Sequence, residues 1–314
     1  MTEVNPHFWG IVLAGGEGKR LQEFVRNQYN SESPKQYCAF IGTRSMLTHT
    51  IDRAERLIPP ERLLTIVNRQ HLQYTHTQLN DRPPRTVIIQ PDSRDTAPGI
   101  LYPLFHIQYR DPEAVVAIFP SDHFVPDETQ FLECVQGATS FVHSHPESIV
   151  LLGVEPHKPE GEYGWIETGE KLFDEGGRDI YRVSRFVEKP DTLTARLLYQ
   201  RRSLWNTMVL VSHAHVLLNL FKVLTPTIYN AFTRIKSVFN SPWEQEIIED
   251  VYKTLPSVNF SQAVLSKNPR GLTVLRMNDM YWSDWGNPER ILLDLRRLTS
   301  QHVVNHAFAQ KQLA

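Results

Sequence analysis

A chain of 314 residues is long enough for a substantial buried core, and fits either two domains or one large α/β unit with insertions. Hydrophobic residues make up 41% and charged residues 22%, proportions that exclude disordered, collagen-like and coiled-coil chains. With 33 Lys and Arg against 35 Asp and Glu, the formal net charge of -2 provides no global positive field for nucleic acid or an anionic membrane, so anions must be bound locally.

The longest apolar runs, such as Ala114 to Phe119, are strand-sized and far short of the ~20 residues that span a bilayer. The opening MTEVNPHFWGIVLAGG has no basic n-region and its apolar run is broken by glycines, so no signal peptide is expected. Cys38 and Cys134 have no CxxC partners, which fits a reducing cytoplasm.

In chain order, strand-like runs alternate with amphipathic helix-length segments, the pattern of an α/β domain on a largely parallel sheet. Trp9 to Leu13 reads as the first strand, and Met46 to Ile58 as a helix from the spacing of Met46, Leu47, Thr50, Ile51, Ala54, Leu57 and Ile58. Strands follow at Leu63–Val67 and Thr86–Gln90, then a helix at Thr96–Tyr109 and a doubly buried strand at Ala114–Phe119. Asp127 and Gln130 form a capping-box pattern ahead of the next helix, and Ser148–Val154 returns to the sheet. Beyond Glu155 comes a glycine-rich stretch, GEYGWIETGE then DEGGRD, followed by a strand Tyr181–Glu188, a helix from Thr192 and a strand Leu204–Val211. Helices are expected at His213–Leu224, Thr227–Phe239 and Pro242–Leu255, a strand at Leu272–Met277 and a closing helix at Pro288–Leu298. No repeat or linker divides the chain. One domain over 1–300 is expected, in two halves at about 8–154 and about 155–300 that share one sheet, the second of them substrate-specific, with a tail at 301–314.

The strongest single segment is LAGGEGKRL, Leu13 to Leu21, where a buried strand runs into three glycines and two cations. Backbone N–H groups without Cβ atoms can approach phosphate closely, and the Arg20 fork can hold the same anion. A tight turn alone would also use such glycines, and neither the Walker A loop nor the dinucleotide fingerprint is met. SPKQY supplies Lys35 as a second, mobile cation. FPSDHF places Asp122 just past the carboxyl end of a strand, where ligands of open α/β sheets sit, and a carboxylate beside phosphate makes sense as a Mg²⁺ ligand. Asp284 in YWSDWGNP follows the same logic, with Trp282 and Trp285 able to hold its rotamer; for both acids a turn or cap is the plainer role. In FVEKP, Glu188 and Lys189 end a strand, and in WNTM the Asn206 amide sits within one, suited to sugar hydroxyls. The histidine pairs 143/145 and 213/215 face different sides of a helix and do not suggest a metal site.

In order, LAGGEGKRL, SPKQY, QPDSRDTAPGI, FPSDHF, GVEPHKPEGEYGWIETG, FVEKPD, WNTM and YWSDWGNP resemble the sugar nucleotidyltransferases, above all the mannose-1-phosphate guanylyltransferases, from Trp9 to about Leu298. The resemblance implies a Rossmann-like nucleotidyltransferase fold: a mixed, mostly parallel sheet flanked by helices, with a sugar-binding subdomain. It implies that a sugar 1-phosphate attacks the α-phosphorus of a nucleoside triphosphate, with Mg²⁺ as cofactor. By the same resemblance Leu13, Gly15 and Gly16 line the nucleoside, and Gln90, Arg94 and Thr96 meet the base and ribose. Arg20, Lys35 and Asp122 act in catalysis, Asp122 and Asp284 hold the metal, and Gly164, Glu188, Lys189 and Asn206 form the sugar-phosphate pocket. The expected partners are these small molecules, and whether the chain forms a homodimer stays open.

Several positions depart from the family pattern. Asp95 stands where the family has Asn, and Thr207-Met208-Val209 replaces Ser-Gly-Met, putting a bulky Met where a Gly would be. Ser261-Gln262-Ala263 replaces Asp-Tyr-Ala, the loop from Arg20 to Lys35 is longer than usual, and the chain leaves no room for the isomerase domain of the long bifunctional enzymes. Two other classes stay in view. A non-catalytic nucleotide-sugar-binding regulator would not need Arg20, Lys35, Asp122, Lys189 and Asp284. A metal-dependent glycosyltransferase would need D-x-D, whereas this chain has Ser-Asp-His.

Overall fold

The computed structural model describes residues 5–172 and 176–298, and the expected tail at 301–314 lies outside them. Strands β1 (Phe8–Ala14), β2 (Leu63–Asn68), β3 (Val87–Gln90) and β4 (Val115–Pro120) pair in parallel in the order β3-β2-β1-β4. Their aliphatic runs are buried on both faces because helices cover each side. On one face Trp9 and Ile11 pack with α4 (Thr96–Arg110), and on the other Phe8, Val12 and Ala14 pack with α2 (Met46–Glu55) and α5 (Glu128–Ser144). The alternation of β1 side chains between two cores is what period-two geometry dictates. Asp127 accepts from the Gln130 N–H at 2.9 Å as the cap requires, but the Gln130 side chain donates to the Asn278 carbonyl instead of closing a capping box.

The second half adds β5 (Ile149–Val154), β6 (Gly164–Leu172), β7 (Ile180–Glu188), β8 (Leu204–His213) and β9 (Leu272–Met277) to the same sheet, in the order β3-β2-β1-β4-β8-β5-β9-β7-β6. The parallel character is concentrated in the first half. Every pairing of β8, and those of β6 and β7, is antiparallel, while β5 and β9 run parallel. The halves therefore interleave, because β8 lies between β4 and β5. Helices α6 (Thr192–Gln200), α7 (Ala214–Leu224), α8 (Pro226–Thr233) and α9 (Glu244–Thr254) follow the expected order, and α10 spans 288–298. The helix expected to run to Phe239 ends at Thr233 and tightens into a 3₁₀ turn, Arg234–Ser237.

Three elements go beyond the sequence expectation. The glycine-rich stretch contains β6, whose Trp165 and Ile166 are buried while its far end is exposed, so its inward pattern covers too few residues to show in sequence. Helix α1 (Gln22–Tyr29) buries Val25 as its single fully enclosed residue, packed with Leu21, Phe40, Met46 and Trp285. A short helix, α3 (Leu72–Thr75), follows β2. No described helix is long and apolar enough to cross a membrane.

Candidate active site

The strand order turns at β1 and β4, so the crevice outside their carboxyl ends is where an open α/β sheet binds ligands. Because β8 runs the other way, its start reaches this same edge, and Trp205 pairs with Val154 at the end of β5. Antiparallel insertion thus delivers Asn206 to a rim otherwise built from strand ends.

On one side of this crevice, the glycine loop after β1 is held by its own motif neighbours. Gln36 donates to the carbonyls of Ala14 (3.1 Å) and Gly16 (2.7 Å), Tyr37 donates to Ala14 (2.8 Å), and Ser121 Oγ donates to Leu13 (2.7 Å). Leu13, Gly15, Gly16, Gln90, Asp95 and Thr96 line one cavity. A Cβ on Gly15 would stand 2.3 Å from Gln90 Nε2, so the glycine makes room for a side chain as well as for a ligand. Gln90 Oε1 accepts from the buried Tyr252 hydroxyl at 3.3 Å, which turns Nε2 toward Gly15 and the cavity. Thr96 Oγ1 accepts from the Phe260 N–H at 2.8 Å, tying the start of α4 to the 258–260 segment. Arg94 is not among the residues lining this cavity; its guanidinium meets Asp92 at 3.3 Å and its carbonyl accepts from the Val258 N–H.

The acids converge through a two-stranded bridge, Phe124 with Ser283, in which each backbone N–H donates to the other carbonyl at 2.8 and 3.1 Å. Phe124 follows Asp122 closely and Ser283 precedes Asp284, so the bridge draws the two carboxylates together. Lys35 joins them. Its ammonium lies 3.1 Å from Asp122 Oδ2 and donates to the carbonyls of Asp284 (2.5 Å) and Trp285 (3.2 Å). Expected as a mobile cation on a flexible segment, Lys35 is instead 8% exposed and fixed by three oxygens. With Gly18, Lys19 and Arg20 it lines a polar recess next to Asp122. Asp284 is not held by its tryptophan neighbours. Arg290 Nη1 (2.8 Å), the Tyr163 hydroxyl (2.9 Å) and the Gly286 N–H (2.8 Å) all donate to its Oδ1, and the cations Lys35 and Arg290 keep its carboxyl below the usual range against the cost of burial. Arg290 also pairs with Glu160 and Glu162 and lies over the Tyr163 ring. His123, which follows Asp122, accepts from the Trp282 indole at 3.3 Å, and burial pushes its pKa down to about 4, so it stays neutral.

On the other side, Gly164, Glu188, Lys189 and Asn206 line a second cavity together with Arg20, Asp122 and Asp284. The β6–β7 ladder pairs Gly164 with Glu188, and a Cβ at 164 would stand 2.7 Å from Glu188 Oε2. Burial raises the Glu188 carboxyl, opposed mainly by the neighbouring Lys189 ammonium. Asn206 Oδ1 accepts from the Met208 N–H at 3.2 Å, which leaves its Nδ2 for a ligand. Arg20 reaches Glu162 at 3.1 Å while remaining mostly exposed. The two cavities share Leu13, Gly16 and Thr96. Gln36, Tyr37, Tyr163 and Arg290, which position the loop and Asp284, carry no sequence signal of their own, although the motifs SPKQY and GEYG enclose the first three.

The chain matches the nucleotidyl transferase family over residues 9–301. It is 30% identical to mannose-1-phosphate guanylyltransferase 2 of Escherichia coli O157:H7 over 288 residues, 88% of this chain and 58% of that protein. It is also 30% identical to the mannose-1-phosphate guanylyltransferase of Salmonella muenchen over 302 residues, 94% of this chain and 61% of that one. The chain thus spans about three fifths of the length of the curated relatives it matches. Among solved structures it superposes on mannose-1-phosphate geranyltransferase from Thermus thermophilus with a TM-score of 0.78 at 26% identity, over 91% of this chain and 79% of that one. The inositol-1-phosphate CTP transferase from T. maritima, at 15% identity and a TM-score of 0.53 over 90% of each chain, shares the fold. With a glycine loop, two convergent acids and a family match along nearly all its length, the chain belongs to the nucleotidyl transferase family.

Proposed function

We propose that the chain is a Mg²⁺-dependent mannose-1-phosphate guanylyltransferase. A phosphate oxygen of mannose 1-phosphate attacks the α-phosphorus of GTP, the bond from that phosphorus to pyrophosphate breaks, and GDP-mannose and pyrophosphate leave. Support comes above all from one juxtaposition: the glycine-loop cavity and the Glu188–Asn206 cavity share a wall, with Asp122 and Asp284 on the second of them. Such transfer needs in-line positioning and charge neutralisation, and the sugar phosphate is already an anion, so no general base is required.

The donor set suits a hard divalent ion. Asp284 Oδ1 is saturated by three donors, which leaves Oδ2 for a cation, and Asp122 Oδ2 attracts the Lys35 ammonium. Among the described residues no cluster of three or more metal-type side chains occurs, so water and substrate oxygens would complete the coordination. When bound, the ion neutralises charge on the reacting phosphates. Arg20 and Lys35 meet the triphosphate, Lys189 the sugar phosphate, and Glu188 and Asn206 the sugar hydroxyls. Gln90 Nε2 offers a donor to O6 of guanine, where adenine presents an amine, and Asp95 on the same cavity offers acceptors to the guanine N–H groups. The cytoplasm, where nucleoside triphosphates are kept, is the proposed location.

Pyrophosphate release across a panel of nucleoside triphosphates and sugar 1-phosphates, with and without chelator, tests this. GTP with mannose 1-phosphate should be turned over fastest and chelation should stop it. A different best pair would reassign the substrates, and binding without turnover by any pair would favour the non-catalytic regulator.

A further inference from the structure

Two backbone irregularities meet on the wall of the sugar-side cavity. Met208 on β8 has φ +58°, a left-handed conformation that costs an L side chain and is free for glycine. Here the β5–β8 register slips between Leu151 and Gly153, and such a bulge re-aims a side chain. Opposite, Ser261 opens a single π-helical turn, Ser261–Leu265, a distortion common at functional sites. The two side chains touch, with the Ser261 hydroxyl donating to Met208 Sδ at 3.1 Å, and Ser261 lines the same cavity as Glu188. Strained residues persist where their surroundings over-determine them, and Met208 is fixed by the Asn206 amide, by Ser261 and by packing on the core.

We propose that Met208, braced by Ser261, is the residue that decides which sugar 1-phosphate the cavity admits, accepting an unsubstituted hexose 1-phosphate and turning away one that carries an acylamino group. This rests on the nucleotidyl-transfer function proposed above. Glu188 and Asn206 answer hydroxyls with carboxyl and amide groups, whereas the thioether wall offers nothing of comparable strength to an amide. An acetamido group pressed against it would lose both space and hydrogen bonds, and an unpaired buried amide is costly.

The test measures pyrophosphate release with the triphosphate saturating and either hexose or N-acetylhexosamine 1-phosphates varied. In Met208→Gly the ratio of kcat/KM for N-acetylated over plain sugar should rise at least ~tenfold, the scale at which a pocket wall discriminates by size. The KM for the triphosphate should move far less, a split that a general packing defect would not produce. Met208→Ala opens most of the same space but keeps Cβ and its backbone constraint; it should share part of the gain, so the test survives if one variant melts early. Ser261→Ala should move the ratio the same way by less. An unchanged ratio in a folded Met208 variant, with the wild type turning over, overturns the inference and leaves the reaction standing. A wild type that releases no pyrophosphate with any sugar 1-phosphate overturns both.

Discussion

The two sides of the crevice, proposed above to take the nucleotide and the sugar, are built by different means. The nucleotide side is made by a loop and by strand ends of a parallel sheet: glycines clear space, and Gln36, Tyr37 and Ser121 grip backbone carbonyls to fix it. The sugar side is made by side chains on antiparallel strands, Glu188 on β7 and Asn206 on β8, brought to the rim because β8 runs against its neighbours. One side is a mould of main chain and the other a set of hands. Between them sits a charged corner, Lys35 with Asp122 and Asp284, that belongs to both. A lesion in the corner should stop the reaction, a lesion on either side should disturb one substrate, and a lesion behind the corner should be felt in stability.

The largest effect is expected for Asp122→Asn and Asp284→Asn, each of which removes a carboxylate proposed to hold the metal and should lower turnover by roughly a hundredfold or more. Near-normal pyrophosphate release in either variant contradicts the metal assignment. Thermal melts should grade the pair, because each acid faces a buried cation, Asp284 facing Arg290 and Asp122 facing Lys35, but Asp284 is the less exposed (18% against 33%) and also accepts from Tyr163 and Gly286, so Asp284→Asn should cost the more stability.

Next come the two lysines. Lys189→Ala should raise the KM for the sugar 1-phosphate roughly 10- to 100-fold, the equivalent of about 1.5–3 kcal/mol for a lost charge-assisted hydrogen bond, with little change for the triphosphate. Lys35→Ala should lower kcat and weaken triphosphate use, because charge grows on the departing pyrophosphate. Steady-state kinetics with each substrate varied at saturating partner decides between them. If Lys189→Ala harmed triphosphate binding alone, the division of the crevice would be wrong.

Two matched methyl groups sharpen the same comparison. Gly15→Ala collides with Gln90 Nε2 and Gly164→Ala with Glu188 Oε2, at 2.3 and 2.7 Å. The first should raise the KM for the triphosphate and the second that for the sugar, each roughly tenfold through displacement of one contact. Equal effects on both substrates would mean that the sides move as one.

The smallest effect concerns His123. Its folded pKa, near 4, lies below the ordinary ~6.5, so between these values the unfolded chain binds the proton more readily and stability falls as pH falls. His123→Gln should flatten the fall in melting temperature over that window. His71, His157 and His213 are also held low by burial, so some slope should remain. A slope identical to wild type would show that His123 charges freely in the fold.

The nucleotide side is the more legible in sequence because its device, glycines after an apolar strand, is contiguous. The sheet's parallel half is equally plain, since doubly buried strands read as unbroken aliphatic runs. Strand β6 is hidden because most of its outward length is polar and its pairing with β7 and β8 is a tertiary choice. Tyr163 and Arg290 are invisible for a related reason: their importance is that they reach Asp284 from 121 and 6 positions away, and nothing local marks an Arg on a helix as buried. The motif around Lys35 is recognisable, but its contacts to the Asp284 and Trp285 carbonyls are made 249 and 250 residues along the chain, so it reads as mobile when it is anchored. Non-glycine residues with left-handed backbone are equally hidden, and Asp95, Lys189 and Met208, all lining the cavities, are of this kind.

The anchoring of Lys35 also sets an order of events during synthesis. Domains form from the amino terminus as the chain emerges from the ribosome, and β1 to β4 can pair early because all four strands lie at or before Pro120. Lys35 finds its two carbonyl partners only when residues 284 and 285 have been made, and β9 enters the sheet between β5 and β7 almost as late. The glycine loop can exist on the nascent chain, but its charged corner cannot close until nearly all the described sequence has left the ribosome, so the corner the proposed reaction depends on is completed with the last segments and not before.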